Sequence, residues 1–300
     1  MQVSTSAFFN DTAKRLGAMN ARAQTLQTEI ATGKKIQTPS DAPGVSQQLA
    51  EISRKDADSA VYSDNLKTAE SLLTQSDSIL RQINSQLTRA KELATNAATG
   101  TQSAGDRKIL GSELKSVLDA IVGLANVNNI RGEPLFGTTS AVKAVVDNGD
   151  GTFTYAATNV SEVPIADGQK VQATESAESL FKQNGTTTDT LAVLSALATA
   201  LQTGDATAQQ TASDSLDKLQ SGLDQLSDVQ ASVGARGARV ELQQALLQTA
   251  DTDRASLRSK LEDTDITAAV VELQQMMTAL SATQASFSKL AQLSLFDYIR

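Results

Sequence analysis

The sequence predicts a mostly α fold: an elongated antiparallel helical bundle, continued by a coiled coil from both chain ends, with a small β-rich insert domain. Three observations carry this. Apolar residues recur at alternating steps of three and four near each end of the chain, the spacing that places a seam along one side of a helix. Hydrophobic residues make up 40% but aromatics only 3%, and Trp is absent; that balance suits long helices with thin seams better than one thick core. The pattern changes to strict alternation only near residues 139–175, between the two helical blocks.

The elements follow in order. Phe9, Thr12, Leu16, Met19, Ala23, Leu26 and Ile30 form a first heptad seam, which ends at Gly33. Glycine suits the residue after a helix because it accepts the left-handed conformation, and Lys34 and Lys35 suit the negative end of the helix dipole. Pro39 and Pro43 make 36–43 a firm break, since proline biases its predecessor away from helix. From Val45 to about Ala98 runs a long helix with the seam Tyr62, Leu66, Ala69, Leu73, Ser76, Leu80, Ile83, Leu87, Ala90, Ala94 and Ala97. At about 1.5 Å per residue it is too long for one globular core to cover. A third helix is expected over 106–127, then a loop, Asn126 to Gly137.

Val142, Ala144 and Val146 alternate, 147–151 reads as a turn, and Phe153 and Tyr155 alternate again, which predicts a β-hairpin. Val163, Ile165, Asp167-Gly168 and Val171 predict a second one, followed by a short helix over 175–183 and a loop over 184–189. Helical spacing returns at Leu191, Leu194, Leu197 and Leu201. A long helix is then expected from Asp205 to about Ser259, with the seam Leu216, Leu219, Leu223, Leu226, Val229, Val233, Val240 and Leu247. Gly234 and Gly237 weaken it locally and suggest close approach of a neighbour. The last helix, 265–300, carries Ile266, Val270, Leu273, Met277, Leu280 and Phe287, with an adjacent row of Ala269, Met276, Leu290 and Leu293. Such a seam is wide enough to need a partner. The expected organisation is an N-terminal coiled-coil arm (1–44), a bundle half (45–138), a β-rich outward insert (139–190), a second bundle half (191–261) and a C-terminal arm (262–300).

Composition excludes much. There is no Cys and no His, so the usual nucleophile–His arrangements and Cys/His zinc sites cannot be built. Neither a catalytic residue nor a cofactor or metal is expected, and the protein does not read as an enzyme. The Asp251/Asp253 and Asp263/Asp265 pairs read as solvated faces or caps. The turn at 147–151 lacks the ligand spacing of a calcium loop. Gly234-Ala235-Arg236-Gly237 follows no strand, which argues against a phosphate loop. The triplets at Asn159 and Asn184 match a glycosylation pattern, but short triplets arise by chance. Net charge is −8 with no basic stripe, which argues against nucleic acid. No run of 18 apolar residues predicts a membrane helix, and residues 1–20 lack the basic start and apolar core of a cleaved secretory signal.

Charge is uneven. Residues 1–35 carry Lys14, Arg15, Arg22, Lys34 and Lys35 against Asp11 and Glu29, a net +3; residues 262–300 carry two basic against five acidic groups, a net −3. The two arms have matching periods and opposite charge. The tail Leu293 to Ile299 is apolar almost to the last residue, where chain ends are normally polar and frayed. That favours burial in an assembly over an isolated intramolecular pair. The expected assembly interface is Phe9, Leu16, Met19, Leu26, Ile30, Ile266, Val270, Leu273, Met277, Leu280, Phe287, Leu295, Phe296 and Tyr298.

Several stretches resemble the bacterial flagellin family: Met1 to Thr5, Ala31 to Ile36, Pro39 to Pro43, Asn126 to Gly137, and Val233-Gly234-Ala235-Arg236. The resemblance covers about 1–138 and 190–300, and the insert carries no motif of the family. The start, with Ser294 to Ile299, is similar to the branch that joins hook to filament; the final Arg300 is shared with flagellin, the alternative. The resemblance implies a structural flagellar protein needed for filament assembly and motility. It implies export through the flagellar type III apparatus with a chaperone, without a cleaved signal, to an extracellular place at the hook–filament junction. The implied partners are hook-associated protein 1, flagellin and copies of the same chain in a ring. The paired termini would form an inner tube ordered only on assembly, with the bundle around it and the insert outward.

Overall fold

The computed structural model describes residues 2–100, 102–137, 141–156, 162–183, 185 and 187–298. Asn159 and Asn184, the asparagines of the two glycosylation triplets, lie outside the described residues. The helices are α1 (Gln2–Thr32), α2 (Pro43–Ala98), α3 (Ala104–Ala125), α4 (Ala177–Phe181), α5 (Thr190–Thr203), α6 (Ala208–Glu262) and α7 (Ile266–Tyr298). The strands are β1 (Val145–Asp147), β2 (Phe153–Tyr155), β3 (Glu162–Ala166) and β4 (Gln169–Gln172). None of the described helices is long and apolar enough to cross a membrane.

Two compact units result. Residues 1–57 with 250–300 make one, and 58–249 the other. In the second unit α2 and α6 run antiparallel, because their contacts ascend one helix while descending the other. Gln244 donates to Glu70 (2.7 Å), Gln230 to Asp77 (3.1 Å) and Gln209 to the Ala98 carbonyl (3.2 Å). Leu66, Leu73, Leu80, Ile83 and Leu87 of α2, Leu219, Leu226, Val229 and Val233 of α6, Leu114, Leu118 and Ile121 of α3 and Leu194 and Leu197 of α5 are buried in one continuous core. These are largely the positions that the periodicity selects.

Local signals account for the ends. α2 opens on Pro43, two residues before the expected start; proline at a first helical position loses an N–H that has no partner there anyway. Ser103 caps α3 in a reciprocal capping box with Asp106, and Asp189 caps α5 by accepting from Leu191 and Ala192. α5 stops at Gly204 in the left-handed conformation (φ 70°). α3 and α5 pack against each other at Gly111 and Ala198.

Both hairpins form. Val145 pairs with Tyr155 and Asp147 with Phe153; Glu162 pairs with Gln172, with an irregularity between Pro164 and Ala166. The carboxylates of Asp147 and Asp150 are used inside the first turn, accepting from the Gly149 and Thr152 N–H groups, each at 2.9 Å. Val142, expected in the first strand, lies outside β1 and is exposed. The insert joins the helical core through Val145, Phe153, Ile165 and Val171, and polar contacts add to this. Asn126 bonds both the Val145 carbonyl and N–H, and the Tyr155 hydroxyl donates to Asp189 (2.8 Å). Arg236 of α6 donates to the Gln172 carbonyl (3.0 Å) and pairs with Glu175. Gly234 and Gly237 admit no close neighbour in the chain: a Cβ at either would meet nothing within 4 Å. Arg236 between them makes the contact.

Candidate assembly interface

The candidate site is the pair of terminal helices in the first unit. α1 and α7 run antiparallel. Arg22 donates to Glu272 through Nε (2.9 Å) and Nη2 (3.1 Å), and Thr264 donates to Glu29 (3.4 Å), so residues ascending α1 meet residues descending α7. The matching heptads and opposite net charges of the two arms account for this pairing.

The base of the pair is clasped by backbone. Gly33 ends α1 with φ 72°, which only glycine adopts without strain. Its carbonyl accepts from the Thr264 N–H (2.9 Å), and Lys35 N–H donates to the Glu262 carbonyl (2.8 Å). Lys34 pairs with Glu262, and the Lys35 ammonium donates to the Lys260 carbonyl (2.9 Å). The loop after α1 is pinned by Asp41, which accepts from the N–H of Gln37 and Thr38 and from the Thr38 hydroxyl. These bonds hold its carboxyl below the usual aspartate range, the Thr38 N–H contributing most. In the same unit Asp56 of α2 accepts from Arg254 and Arg258 of α6, both at 2.8 Å.

Burial is thin. Ala23, Leu26 and Glu29 of α1 and Ala269 and Leu280 of α7 are buried. Leu16, Met19, Ile30, Val270, Leu273 and Phe287 are only half-buried. Ile266 and Met277 are about half exposed, at 51% and 50%. The expected interface residues thus divide. Leu26 and Leu280 are each buried within the chain, while Ile266 and Met277 are left outside. Of Phe9, Leu295, Phe296 and Tyr298 the side chains lie outside the described residues.

The geometry explains the division. Ile266 and Met277 are three helical turns apart, so they lie on one line of α7 with Val270 beside them. Ala269, Met276 and Leu280 lie on a neighbouring line turned toward α1. α1 covers one edge of a wide apolar face and leaves the other. From Ile266 to Ser288 the sequence holds one charged residue, Glu272, and that one bonds Arg22. The uncovered side of α7 is therefore apolar or uncharged over about six turns.

Sequence reasoning missed the ionic cluster in the seam. Glu29 takes a position beside Ile30, with a side chain 10% exposed, and accepts from Arg22 Nη1 at 3.1 Å. The available signal was the spacing of Arg22 and Glu29, one heptad apart on the same face.

Residues 3–141 match the bacterial flagellin N-terminal helical region. The chain is 24% identical to the flagellar hook-associated protein 3 of Escherichia coli (strain K12), with 99% of each chain covered. It is 28% identical to the flagellin of Listeria innocua serovar 6a, covering 97% of this chain and 95% of that one. A solved structure of flagellar hook-associated protein 3 from Legionella pneumophila superposes with a TM-score of 0.65 at 14% identity, covering 71% of this chain and 98% of that one. At that identity the superposition establishes the fold alone. Residues 3–141 thus carry a flagellin-type N-terminal helical region, and over nearly its whole length the chain is similar to flagellar hook-associated protein 3 and to flagellin. It is similar to flagellar hook-associated protein 3 from end to end and shares the fold of the Legionella protein.

Proposed function

We propose that this chain is a structural subunit of the bacterial flagellum that joins hook to filament and is required for filament assembly and motility. One observation carries the reading furthest. α7 presents a two-sided apolar face, of which α1 of the same chain covers one edge. Ile266, Val270 and Met277 then need a neighbour, and an uncharged surrounding surface makes burial inexpensive because no ion has to leave water. The assembly interface is Phe9, Leu16, Met19, Leu26, Ile30, Ile266, Val270, Leu273, Met277, Leu280, Phe287, Leu295, Phe296 and Tyr298. The helices at issue bury little within one chain, so ordering the ends and adding a subunit are coupled steps.

The partners on this reading are other copies in a ring, hook-associated protein 1 on the hook side and flagellin on the filament side. An export chaperone and the type III apparatus deliver the chain to an extracellular position at the junction, without a cleaved signal. A second reading, flagellin itself, is favoured by the 28% identity to the Listeria protein. Deletion of the gene separates the two. The junction reading expects bare hooks with unpolymerised flagellin released into the medium. Bare hooks with no flagellin in the medium would identify the chain as flagellin, and normal filaments would contradict both readings.

A further inference from the structure

A heptad seam does not define its own register. On α1, Thr12, Met19 and Leu26 repeat at seven, as do Leu16, Ala23 and Ile30; on α7, Ala269, Met276 and Thr283 repeat, as do Leu273, Leu280 and Phe287. Sliding one helix by seven residues brings apolar positions back onto apolar positions. The charges break this degeneracy. Glu272 is the one charged residue of 266–288. In the observed register its two oxygens accept from Nε and Nη2 of Arg22, a two-point contact whose third arm, Nη1, reaches Glu29.

Displacing α1 by one heptad toward the C-terminal end of α7 carries Arg22 on to Ala279. It also sets Glu29 opposite Glu272, two carboxylates across a partly covered seam, with Arg22 gone from between the helices. The reverse slide leaves opposite charges together, Arg22 near Asp265 and Arg15 near Glu272. Either slide would also break the clasp of Gly33 on Thr264 and Lys35 on Glu262 at the base, and it is the clasp alone that opposes the reverse one. From this we infer that Glu272 sets the register of the terminal helices, attracting Arg22 in the observed alignment and repelling Glu29 in the displaced one. It is a specificity device of the kind that a repeating apolar seam requires. The register decides which residues of α1 and α7 meet, while the same edge of α7 is covered and the same row is left outward in either alignment, because seven residues return to nearly the same face. The inference concerns the single chain and does not depend on what that row meets.

The absence of native cysteine allows a direct test by disulfide trapping in the full chain. The Arg22–Glu272 and Glu29–Thr264 contacts bracket Leu26 and Ala269, both buried. Leu26→Cys with Ala269→Cys therefore reports the observed register. Leu26→Cys with Met276→Cys reports the displaced one, since one heptad of helix is about 10 Å and a disulfide needs Cα atoms within about 7 Å. With Glu272 in place the first pair closes and the second stays reduced. Glu272→Arg, which repels Arg22 and attracts Glu29, is expected to reverse this. Glu272→Asp, which keeps the charge, is expected to keep the first pair alone. The inference is overturned if Glu272→Arg leaves the first pair as the only cross-link, if neither pair closes in it, or if Glu272→Asp shifts the register as Arg does.

Discussion

At Gly111 the backbones of α3 and α5 come so close that an added Cβ would lie 2.9 Å from the Gln202 nitrogen and 3.0 Å from the Ala198 carbonyl oxygen. Backbone cannot swing aside as a long side chain can. Gly111→Ala should therefore destabilise the 58–249 unit by about 1–3 kcal/mol. Gly123→Ala, on the same helix but with nothing within 4 Å, should stabilise it by about 0.5–1 kcal/mol through helix propensity. Urea denaturation of the two variants checks both signs; equal effects would contradict the close approach. Tyr155 offers a pH test. Burial, and then the Asp189 carboxylate it donates to, push its phenol well above the usual range. A raised pKa means that the folded state holds its proton more tightly than the unfolded state. The resulting stability is complete below the ordinary phenol pKa of about 10 and is lost as pH rises beyond it. Alkaline unfolding of the insert should steepen above that point, and Tyr155→Phe should remove the steepening. None of this was legible in sequence: Gly111 was an unremarked glycine in a helix, and the Tyr155–Asp189 bond joins residues 34 apart.

Among the elements, the long helices were legible because a seam repeated over many turns leaves little ambiguity of type. The α2 seam from Leu66 to Ala97 was read correctly, including buried Ser76. Boundaries moved by two or three residues, as at Pro43, where the proline read as part of the break is the first residue of the helix. Gly234 and Gly237 mark the limit of propensity reasoning. Their lack of side chains suggested a tight crossing, yet the contact there is made by Arg236, reaching the strand-to-helix link at Gln172 and Glu175. α1 and α7 form a thin element whose few buried residues give it less stability than the bundle. Hydrogen exchange on Leu26→Ala should show α1 and the first half of α7 opening faster, while α3 and α5 keep wild-type protection. Equal loss of protection in both would mean that the two units unfold as one.

For the whole molecule, the functional class was readable only through the resemblance carried by stretches such as Ala31 to Ile36, Pro39 to Pro43 and Asn126 to Gly137; the periodic, oppositely charged chain ends pointed to pairing and assembly. How the expected interface divides was not readable. Spacing gives the angular width of an apolar face, but only the packed pair decides which edge is covered. Leu280 proved buried, whereas Ile266 and Met277, on the expected seam itself, remained outward. Leu273, at the margin between the two edges, is the position where a charge should do most damage to assembly. Leu273→Asp should abolish incorporation into flagella and leave circular dichroism and urea unfolding of the 58–249 unit within about 0.5 kcal/mol of wild type. A variant that assembles normally would remove α7 from the interface. The central claim is placement at the junction, and it is tested most directly by locating the labelled chain on isolated flagella. The account predicts a small cluster of label where the hook ends and the filament begins. Label distributed along the whole filament would contradict it.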